Sequence, residues 1–353
     1  MTYRVIQWAT GGVGKAAIEA VLDHPELELV GCLVYSDAKN GQDVGTFIDT
    51  APIGVFATND KQAIYDMDAD CVVYTPQFPD ERDVLAILAS GKSVVTSVGW
   101  VYPHSSQDTT AIEAACAEGN SALHGTGIHP GGMTERFPLM ISALTRSITH
   151  VKIDEYSDIR TYNAPGVVRD MMLFGHTPEA ARQSPMVQFM GGGFMQSIDM
   201  VAAELGFTLD AKKRTTHDIS VATAPIDSPI GIIEPGQVAA QRFLWEGLVD
   251  DEPVISASVA WLMGEDNLEP GWGFGPEGAR YEIEVVGDPT MHLNIHGCHP
   301  HSVEEGLKRN PGVVVTALHC VSAIPYVCAA GSGIKTYLDL PLISGRAAPQ
   351  FQR

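Results

Sequence analysis

The stretch Val5-Ile6-Gln7-Trp8-Ala9-Thr10-Gly11-Gly12-Val13-Gly14 decides the fold of this 353-residue chain. An apolar, strand-like run leads directly into a glycine-rich turn, and apolar residues at helical spacing follow in residues 15–22. A pyrophosphate binds at such a strand–turn–helix unit because the first N–H groups of the helix point at it. The three slots of the G-x-G-x-x-G pattern hold Ala9, Gly11 and Gly14, so only the first slot departs from glycine. The turn predicts a dinucleotide-binding site.

Further cofactor contacts are predicted where the next strands end. An acid after the second strand would accept hydrogen bonds from the adenosine ribose, whereas a hydroxyl and a cation would bind a 2′-phosphate. Ser36 and Lys39 flank Asp37, so NADP is the preferred cofactor, NAD is the alternative, and an ordinary solvated turn is the third interpretation. The predicted cofactor-binding residues are Thr10, Gly11, Gly12, Val13, Gly14, Ser36, Lys39, Thr75, Pro76 and Gly127.

Strand-like and helix-like segments alternate through the first 150 residues. The run 71–74 is apolar throughout, the run 93–96 has two valines between Ser93 and Thr96, and a helical segment separates the two runs. Apolar strands separated by helices are typical of a parallel sheet that is covered on both faces. From about residue 150 the pattern changes to alternating apolar and polar residues, which indicates half-buried strands of an antiparallel sheet. The sequence predicts an α/β fold, with a dinucleotide-binding domain in residues 1–150 and an α+β domain with an antiparallel sheet in residues 151–310.

Charge and hydropathy exclude several classes of partner. Twenty-two Lys and Arg against 43 Asp and Glu give a formal net charge of −21, which repels nucleic acid and anionic membrane surfaces. Apolar residues make up 45%, which excludes a disordered chain. We expect neither a signal peptide nor an apolar run of the roughly 20 residues that span a bilayer. The six cysteines are scattered and form no C-x-x-C pair, so we expect free thiols and a cytoplasmic location.

Several stretches carry a resemblance to a known superfamily. They are VIQWATGGVGK (5–15), CVVYTP (71–76), GTGIHPG (125–131), AIP (323–325) and LDLPL (338–342). The chain resembles the dihydrodipicolinate reductase-like superfamily, and within it the native amine dehydrogenase and 2,4-diaminopentanoate dehydrogenase branch. The resemblance implies a Rossmann domain, a substrate and dimerisation domain, and a C-terminal helix and tail (residues 311–353) that return to the first domain. It also implies homodimers and hydride transfer from a reduced nicotinamide to C=O or C=N of a small molecule.

Two departures from that family pattern narrow the expected reaction. Dihydrodipicolinate reductases carry a His-His-x-x-Lys motif for their diacid substrate, and residues 156–162 lack it. Amine dehydrogenases of the branch place a catalytic Glu just after the fifth strand, and residues 96–104 contain no carboxylate. We therefore predict reduction of a carbonyl or a preformed imine. The alternatives are ammonia-dependent amination with another acid, such as Glu155, and a catalytically silent dinucleotide-binding sensor.

A proton donor or an electrostatic partner is required because hydride transfer leaves charge on the substrate's heteroatom. Tyr102 and His104 follow the fifth strand, whose carboxyl end lies at the edge where open sheets bind ligands. His129 lies in the glycine-rich loop that, by the resemblance, faces the nicotinamide. Tyr102, His104 and His129 are the predicted catalytic residues, and a packing or surface role is the alternative for each.

Two clusters of residues have a simpler explanation than a ligand site. The histidines, cysteine and glutamate between residues 296 and 304 match no familiar zinc spacing, so we expect no metal. The methionines and phenylalanines between residues 171 and 195 favour core filling. A soft apolar pocket for a hydrophobic substrate is the alternative interpretation of that second cluster.

Overall fold

Two compact units make up the chain. The structure is a computed structural model that describes residues 2–351, apart from the side chains of Met186 and Pro349. The two units consist of residues 2–131 together with 313–351, and of residues 132–312.

Strands and helices alternate in the first part of the first unit, as predicted. Its elements are β1 (Tyr3–Trp8), α1 (Gly12–Asp23), β2 (Leu27–Leu33), β3 (Ala57–Thr58), α2 (Lys61–Asp66), β4 (Cys71–Tyr74), α3 (Glu81–Ala89), β5 (Ser93–Thr96), α4 (Thr110–Gly119) and β6 (Ala122–Gly125). The helix α1 buries Ala17, Ile18 and Val21, which have the spacing of one helix face, in the core of the unit.

A second sheet and its helices form the second unit. Its elements are α5 (Phe137–Ser142), β7 (Arg146–Asp158), α6 (Pro178–Gln183), α7 (Met186–Leu205), β8 (Arg214–Ala222), β9 (Val238–Val249), β10 (Glu252–Leu262), β11 (Leu268–Glu269), β12 (Arg280–Asp288), β13 (Met291–Ile295) and α8 (Val303–Lys308). The domain boundary predicted at residue 150 falls inside β7. The reason is that buried and half-buried residues begin to alternate regularly only near Val151, whereas the strand starts at Arg146.

The sheet of the second unit is mixed, which corrects the predicted antiparallel sheet. Its strand order is β11-β8-β9-β10-β7-β12-β13, and β10 runs parallel to β7 while the other neighbours are antiparallel. Parallel neighbours need a crossover connection, and the segment with α6 and α7 provides it. The sequence analysis missed β9, because its buried residues lie on both faces and do not alternate strictly.

The C-terminal segment completes the first unit with α9 (Pro311–Ala329) and β14 (Gly333–Ile334). The sheet order is β14-β6-β5-β4-β1-β2-β3, and every pair of neighbours is parallel. The carboxyl ends of all its strands therefore lie along one edge. The strand order reverses at β1, between β4 and β2, and open α/β sheets bind their ligands at such a switch point.

The helix α9 is long and apolar enough to cross a membrane by length and composition, with a mean hydropathy of 1.8. The sequence analysis expected no apolar run of that length, and Thr316, His319 and Ser322 lie within this one. Ala317 and Ile324 are among the residues of α9 that are fully buried in the core of the first unit. Of the apolar stretch of α9, 44% is buried inside the protein, so packing accounts for part of its apolar sequence.

Candidate cofactor and active site

The turn between β1 and α1 has the geometry of a phosphate site. Gly11 caps α1 with an extended backbone, and no side chain of the described residues caps the N–H groups of the first turn. A Cβ atom at Gly11 would meet no heavy atom within 4 Å, whereas at Gly14 it would collide with the Ala9 carbonyl oxygen. The open side of the turn therefore lies at Gly11, where an anion can approach the backbone, and Gly14 permits close packing of helix and strand.

Ala9 holds the first slot of the pattern in a left-handed conformation, with φ of 73°. Such a backbone favours glycine, because an alanine Cβ costs about 1–2 kcal/mol there. The buried Gln7 holds this turn, since its Nε2 donates to the Ala9 carbonyl at 2.9 Å and to Thr75 Oγ1 at 2.8 Å. The Thr75 hydroxyl is thus part of the same network. The sequence analysis missed Gln7, although a polar residue inside an apolar strand was a signal for it.

The end of β2 brings a cation to the turn. Lys39 Nζ donates to Thr10 Oγ1 at 2.9 Å, and its ammonium lies 5.3 Å from the centre of the Phe47 ring. The Asp37 carboxylate instead accepts a hydrogen bond from Asn59 Nδ2 at 2.7 Å. The structure thus brings Lys39 to the predicted phosphate turn and directs Asp37 to a different partner.

A cavity of about 600 Å³ lies where β2 and β4 end, and Tyr35 and residues 76–82 line it. Tyr35 and Phe78 are largely exposed, and Trp8 Nε1 donates to the Tyr35 hydroxyl at 2.9 Å. The lining of the cavity includes Pro76, one of the predicted cofactor-binding residues. Aromatic surface of this kind suits a planar base, so the turn and the cavity together fit the diphosphate and the adenosine of a dinucleotide.

A cluster of polar side chains follows β6, at the same edge of the sheet. His319 Nδ1 lies 2.6 Å from the Gly127 carbonyl oxygen, and the Tyr337 hydroxyl bonds to the hydroxyl of Thr126. The rings of His319 and Tyr337 stack with their centres 5.6 Å apart. The sequence analysis predicted Gly127 and missed His319 and Tyr337, because no local pattern links them to residues that lie 192 to 211 positions earlier. His129 is half-buried in the same loop.

The two candidates after β5 occupy different environments. His104 lies on the surface, where its Nδ1 is 3.1 Å from Thr109 Oγ1 and its Nε2 is 3.7 Å from Glu113 Oε1. Tyr102 is half-buried and precedes the short turn that contains His104. Trp100 lies between them and β5, and its ring is buried in the core beside the sheet. The structure therefore gives Trp100 a packing role.

A buried acid lies in the second unit. Glu155 is only 8% exposed, and it accepts hydrogen bonds from the Ser157 hydroxyl at 2.6 Å and from Trp261 Nε1 at 3.0 Å. Burial raises the pKa of its carboxyl, and hydrogen bonds from Ser157, Trp261 and Tyr281 partly oppose that rise. Ser157 Oγ also lies 2.8 Å from Nε2 of His299. This is the acid that the sequence analysis named as an alternative.

Methionine and phenylalanine side chains between residues 171 and 195 contribute to packing in the second unit. Phe194 stacks on Trp245 at 4.1 Å between ring centres, and Met172 and Phe174 lie in the core of the second unit. The side chain of Met186 lies outside the described part of the chain. Within residues 2–351 no group of three or more His, Cys, Asp or Glu side chains is arranged to hold a metal ion.

The fold and the turn define a class of protein, an NAD(P)-dependent oxidoreductase built on a Rossmann-type sheet. Residues 5–118 match the model of the dihydrodipicolinate reductase N-terminus, and residues 135–350 match that of the 2,4-diaminopentanoate dehydrogenase C-terminal domain. The chain therefore belongs to the 2,4-diaminopentanoate dehydrogenase C-terminal domain family. The family resemblance, the fold class and the expectation of an enzyme are confirmed.

Curated relatives extend over nearly the whole chain. An amine dehydrogenase of Streptomyces virginiae is 29% identical over 96% of both chains. A 2,4-diaminopentanoate dehydrogenase of Acetoanaerobium sticklandii is 24% identical and covers 96% of this chain and 93% of its own. Among solved structures, the amine dehydrogenase of Mycobacterium smegmatis matches with a TM-score of 0.79, 19% identity and 98% coverage of both chains. At that identity the structural match shows the fold alone.

Proposed function

We propose that this protein uses NADPH to reduce a carbonyl or a preformed imine of a small hydrophobic substrate. The observation that carries the proposal is the Lys39 ammonium beside Thr10, at the open end of an uncapped helix N-terminus. A cation there can pair with the 2′-phosphate of NADPH, while the Asp37 carboxylate that would serve a free ribose is engaged by Asn59. NAD is the alternative cofactor.

The segment after β5 supports carbonyl or preformed-imine reduction over amination. It supplies no carboxylate, and Trp100 is buried in the core rather than presented to a ligand. One observation favours ammonia-dependent amination as a second candidate. Glu155 is a buried acid surrounded by hydrogen-bond donors, and such an acid can take part in the proton transfers that amination needs.

A turnover screen separates these activities. Purified protein is given NADPH with a panel of ketones, aldehydes and preformed cyclic imines, with and without ammonia, and the nicotinamide absorbance is followed. We expect NADPH consumption that does not depend on ammonia. Consumption only in the presence of ammonia would replace the proposal with amination, and no consumption with any substrate would leave the dinucleotide-binding sensor.

We also propose a homodimer joined through the second unit. The edge strand β13 supports this, since Met291, Leu293 and Ile295 form a half-buried apolar row along it. In solution, an apolar edge of this kind is usually covered by another protein chain. All six cysteines are free thiols, which supports the expected cytoplasmic location.

A further inference from the structure

The last residue of β1 connects the phosphate turn with the cavity of the first unit. Trp8 directly precedes Ala9, where the turn begins, and its side chain is fully buried in the core. Its Nε1 donates a hydrogen bond of 2.9 Å to the hydroxyl of Tyr35, which lines the cavity just after the end of β2. A residue beside the phosphate turn therefore holds a side chain that lines the cavity.

The indole of Trp8 is held in place by the side chains around it. The Tyr65 ring stacks on it with the ring centres 6.2 Å apart, and the Tyr74 ring packs on it at 5.5 Å. The Lys61 ammonium lies 5.7 Å from the centre of the indole, and the Asp83 carboxylate accepts hydrogen bonds from this ammonium at 2.6 and 2.7 Å. An indole packed in this way keeps one orientation, so its N–H group donates in a fixed direction.

Tyr35, in contrast, has much of its ring on the surface. The residue is 59% exposed, and the bond from Trp8 ties its hydroxyl end to the core. An exposed side chain without such a bond exchanges between rotamers, and a ligand that packs on it must offset the loss of that freedom. The bond from Trp8 restricts the Tyr35 ring before any ligand binds.

The charges of the cavity lining favour an uncharged group over a phosphate. Asp80 and Glu81 bring two carboxylates, and Arg82 brings one guanidinium, which pairs with Asp80 at 2.8 Å. The lining therefore has a net charge of −1, which disfavours an anion. The Lys39 ammonium lies instead at the phosphate turn, beside Thr10. The phosphates of a dinucleotide and its base thus suit different places on the first unit.

We infer that Trp8 is a positioning residue for the cofactor, because its indole N–H group holds the Tyr35 ring where the adenine base of the dinucleotide stacks. The inference rests on the proposed function, since it concerns the cofactor of the proposed reaction. Tyr35 supplies the aromatic face for the base, and Trp8 acts only through Tyr35. The backbone of Trp8 leads into the phosphate turn while its side chain sets the base platform, so one residue aligns both parts of the adenosine diphosphate site.

The test removes the hydroxyl, the donor and the ring in separate variants. Tyr35→Phe removes the hydroxyl and keeps the ring, Trp8→Phe removes the donor and keeps an aromatic core residue, and Tyr35→Ala removes the ring. Tyr326→Phe is the matched control, because it removes a tyrosine hydroxyl that lies 3.0 Å from Ser344 Oγ in the same unit. Calorimetry measures the affinity of each variant for NADPH and for adenosine 2′,5′-bisphosphate, which carries the base without the nicotinamide.

We expect Tyr35→Phe and Trp8→Phe each to weaken the binding of both ligands about fivefold, as the loss of one hydrogen bond predicts. The double variant, Trp8→Phe with Tyr35→Phe, should bind no more weakly than either single variant, because both substitutions break the same bond. Tyr35→Ala should weaken binding about tenfold or more, since a base loses its stacking surface. Tyr326→Phe should bind both ligands as the parent protein does.

Parent-like affinity in Tyr35→Phe would overturn the positioning role of Trp8, and parent-like affinity in Tyr35→Ala would overturn the base platform. Losses that add in the double variant would also overturn the positioning role, because Trp8 would then act through the core. The proposed function would stand in each of these cases. Because Tyr35 is exposed, its two variants test the inference even if Trp8→Phe fails to fold. A parent protein that binds neither ligand would overturn both the inference and the proposed function.

Discussion

At the scale of single residues, the conformation of the predicted phosphate turn depends on both Ala9 and Gln7. Ala9 adopts a left-handed backbone that an alanine disfavours, and Gln7 Nε2 holds its carbonyl oxygen. The strain at one residue is thus offset by a buried hydrogen bond from its neighbour. The arrangement explains how the turn keeps the geometry of the glycine pattern without a glycine in the first slot.

Ala9→Gly should therefore stabilise the protein. Relief of the left-handed strain, less the entropy that glycine loses on folding, predicts a rise of about 0.5–1 kcal/mol in the free energy of unfolding. Gln7→Met leaves a buried carbonyl without its donor and should cost about 1–3 kcal/mol. Urea unfolding of the two single variants and the double variant measures both effects. A lower free energy of unfolding for Ala9→Gly would show that the turn is not strained.

At the scale of elements, α9 and the segment after β14 contribute to the site from the far end of the chain. Both carry side chains to the carboxyl end of β6, where His319 and Tyr337 hold Thr126 and the Gly127 carbonyl. The loop that the sequence analysis predicts to face the nicotinamide is thereby held by residues of the C-terminal segment.

His319→Asn should loosen this loop. The shorter side chain loses the stacking on Tyr337 and the contact with Gly127, and the loss of about 1 kcal/mol predicts NADPH binding that is roughly fivefold weaker. Fluorescence titration measures the affinity of each variant for NADPH. His292→Asn is the control, since His292 is exposed on the second unit. This variant should bind NADPH as the parent protein does. Equal affinity in both variants would show that the loop does not depend on His319.

Local patterns predicted those elements whose burial is uniform along the chain. The apolar runs at β4 and β5 and the turn before α1 give the correct elements, because strands buried on both faces and glycine-rich turns have a clear local composition. The strand β9 and the parallel pairing of β10 with β7 could not be predicted in this way. They depend on contacts with other strands, and a local sequence pattern does not contain those contacts.

Prediction of the candidate site from the sequence was limited in the same way. The turn at residues 9–14 and Lys39 could be named from the sequence, because their spacing carries the chemistry. The His319–Tyr337 pair and the contact between Ser157, beside Glu155, and His299 depend on residues brought together over 18 and 142 positions, respectively. Of these five residues, only Glu155 was named as a candidate for catalysis, as an acid near the start of the second domain.

At the scale of the whole molecule, the two units contain different candidate functional features. The first unit contains the phosphate turn and the dinucleotide cavity, and the second contains the buried acid and the proposed dimer surface. From the net charge of −21 we predict that nucleic acid is not a partner and that cofactor binding depends on a local arrangement of N–H groups and Lys39.

The assembly is predicted to be a homodimer at micromolar concentration. Light scattering should give twice the chain mass of 37.8 kDa. A charge placed on the apolar row, as in Leu293→Lys, should shift the mass toward the monomer, because the row would then be unfavourable to bury. A parent protein with the mass of one chain would contradict the proposed dimer.

The central claim, that Lys39 at the phosphate turn selects NADPH, is tested most directly by calorimetric titration. NADPH and NADH are each titrated into the parent protein, into Lys39→Ala, and into Lys308→Ala, which removes an exposed lysine of the second unit and changes the net charge equally. We predict that the parent and Lys308→Ala bind NADPH at least about tenfold more tightly than NADH, a difference of about 1.4 kcal/mol, and that Lys39→Ala binds the two equally. Equal or tighter binding of NADH by the parent protein, or a preference for NADPH that survives in Lys39→Ala, would contradict the account.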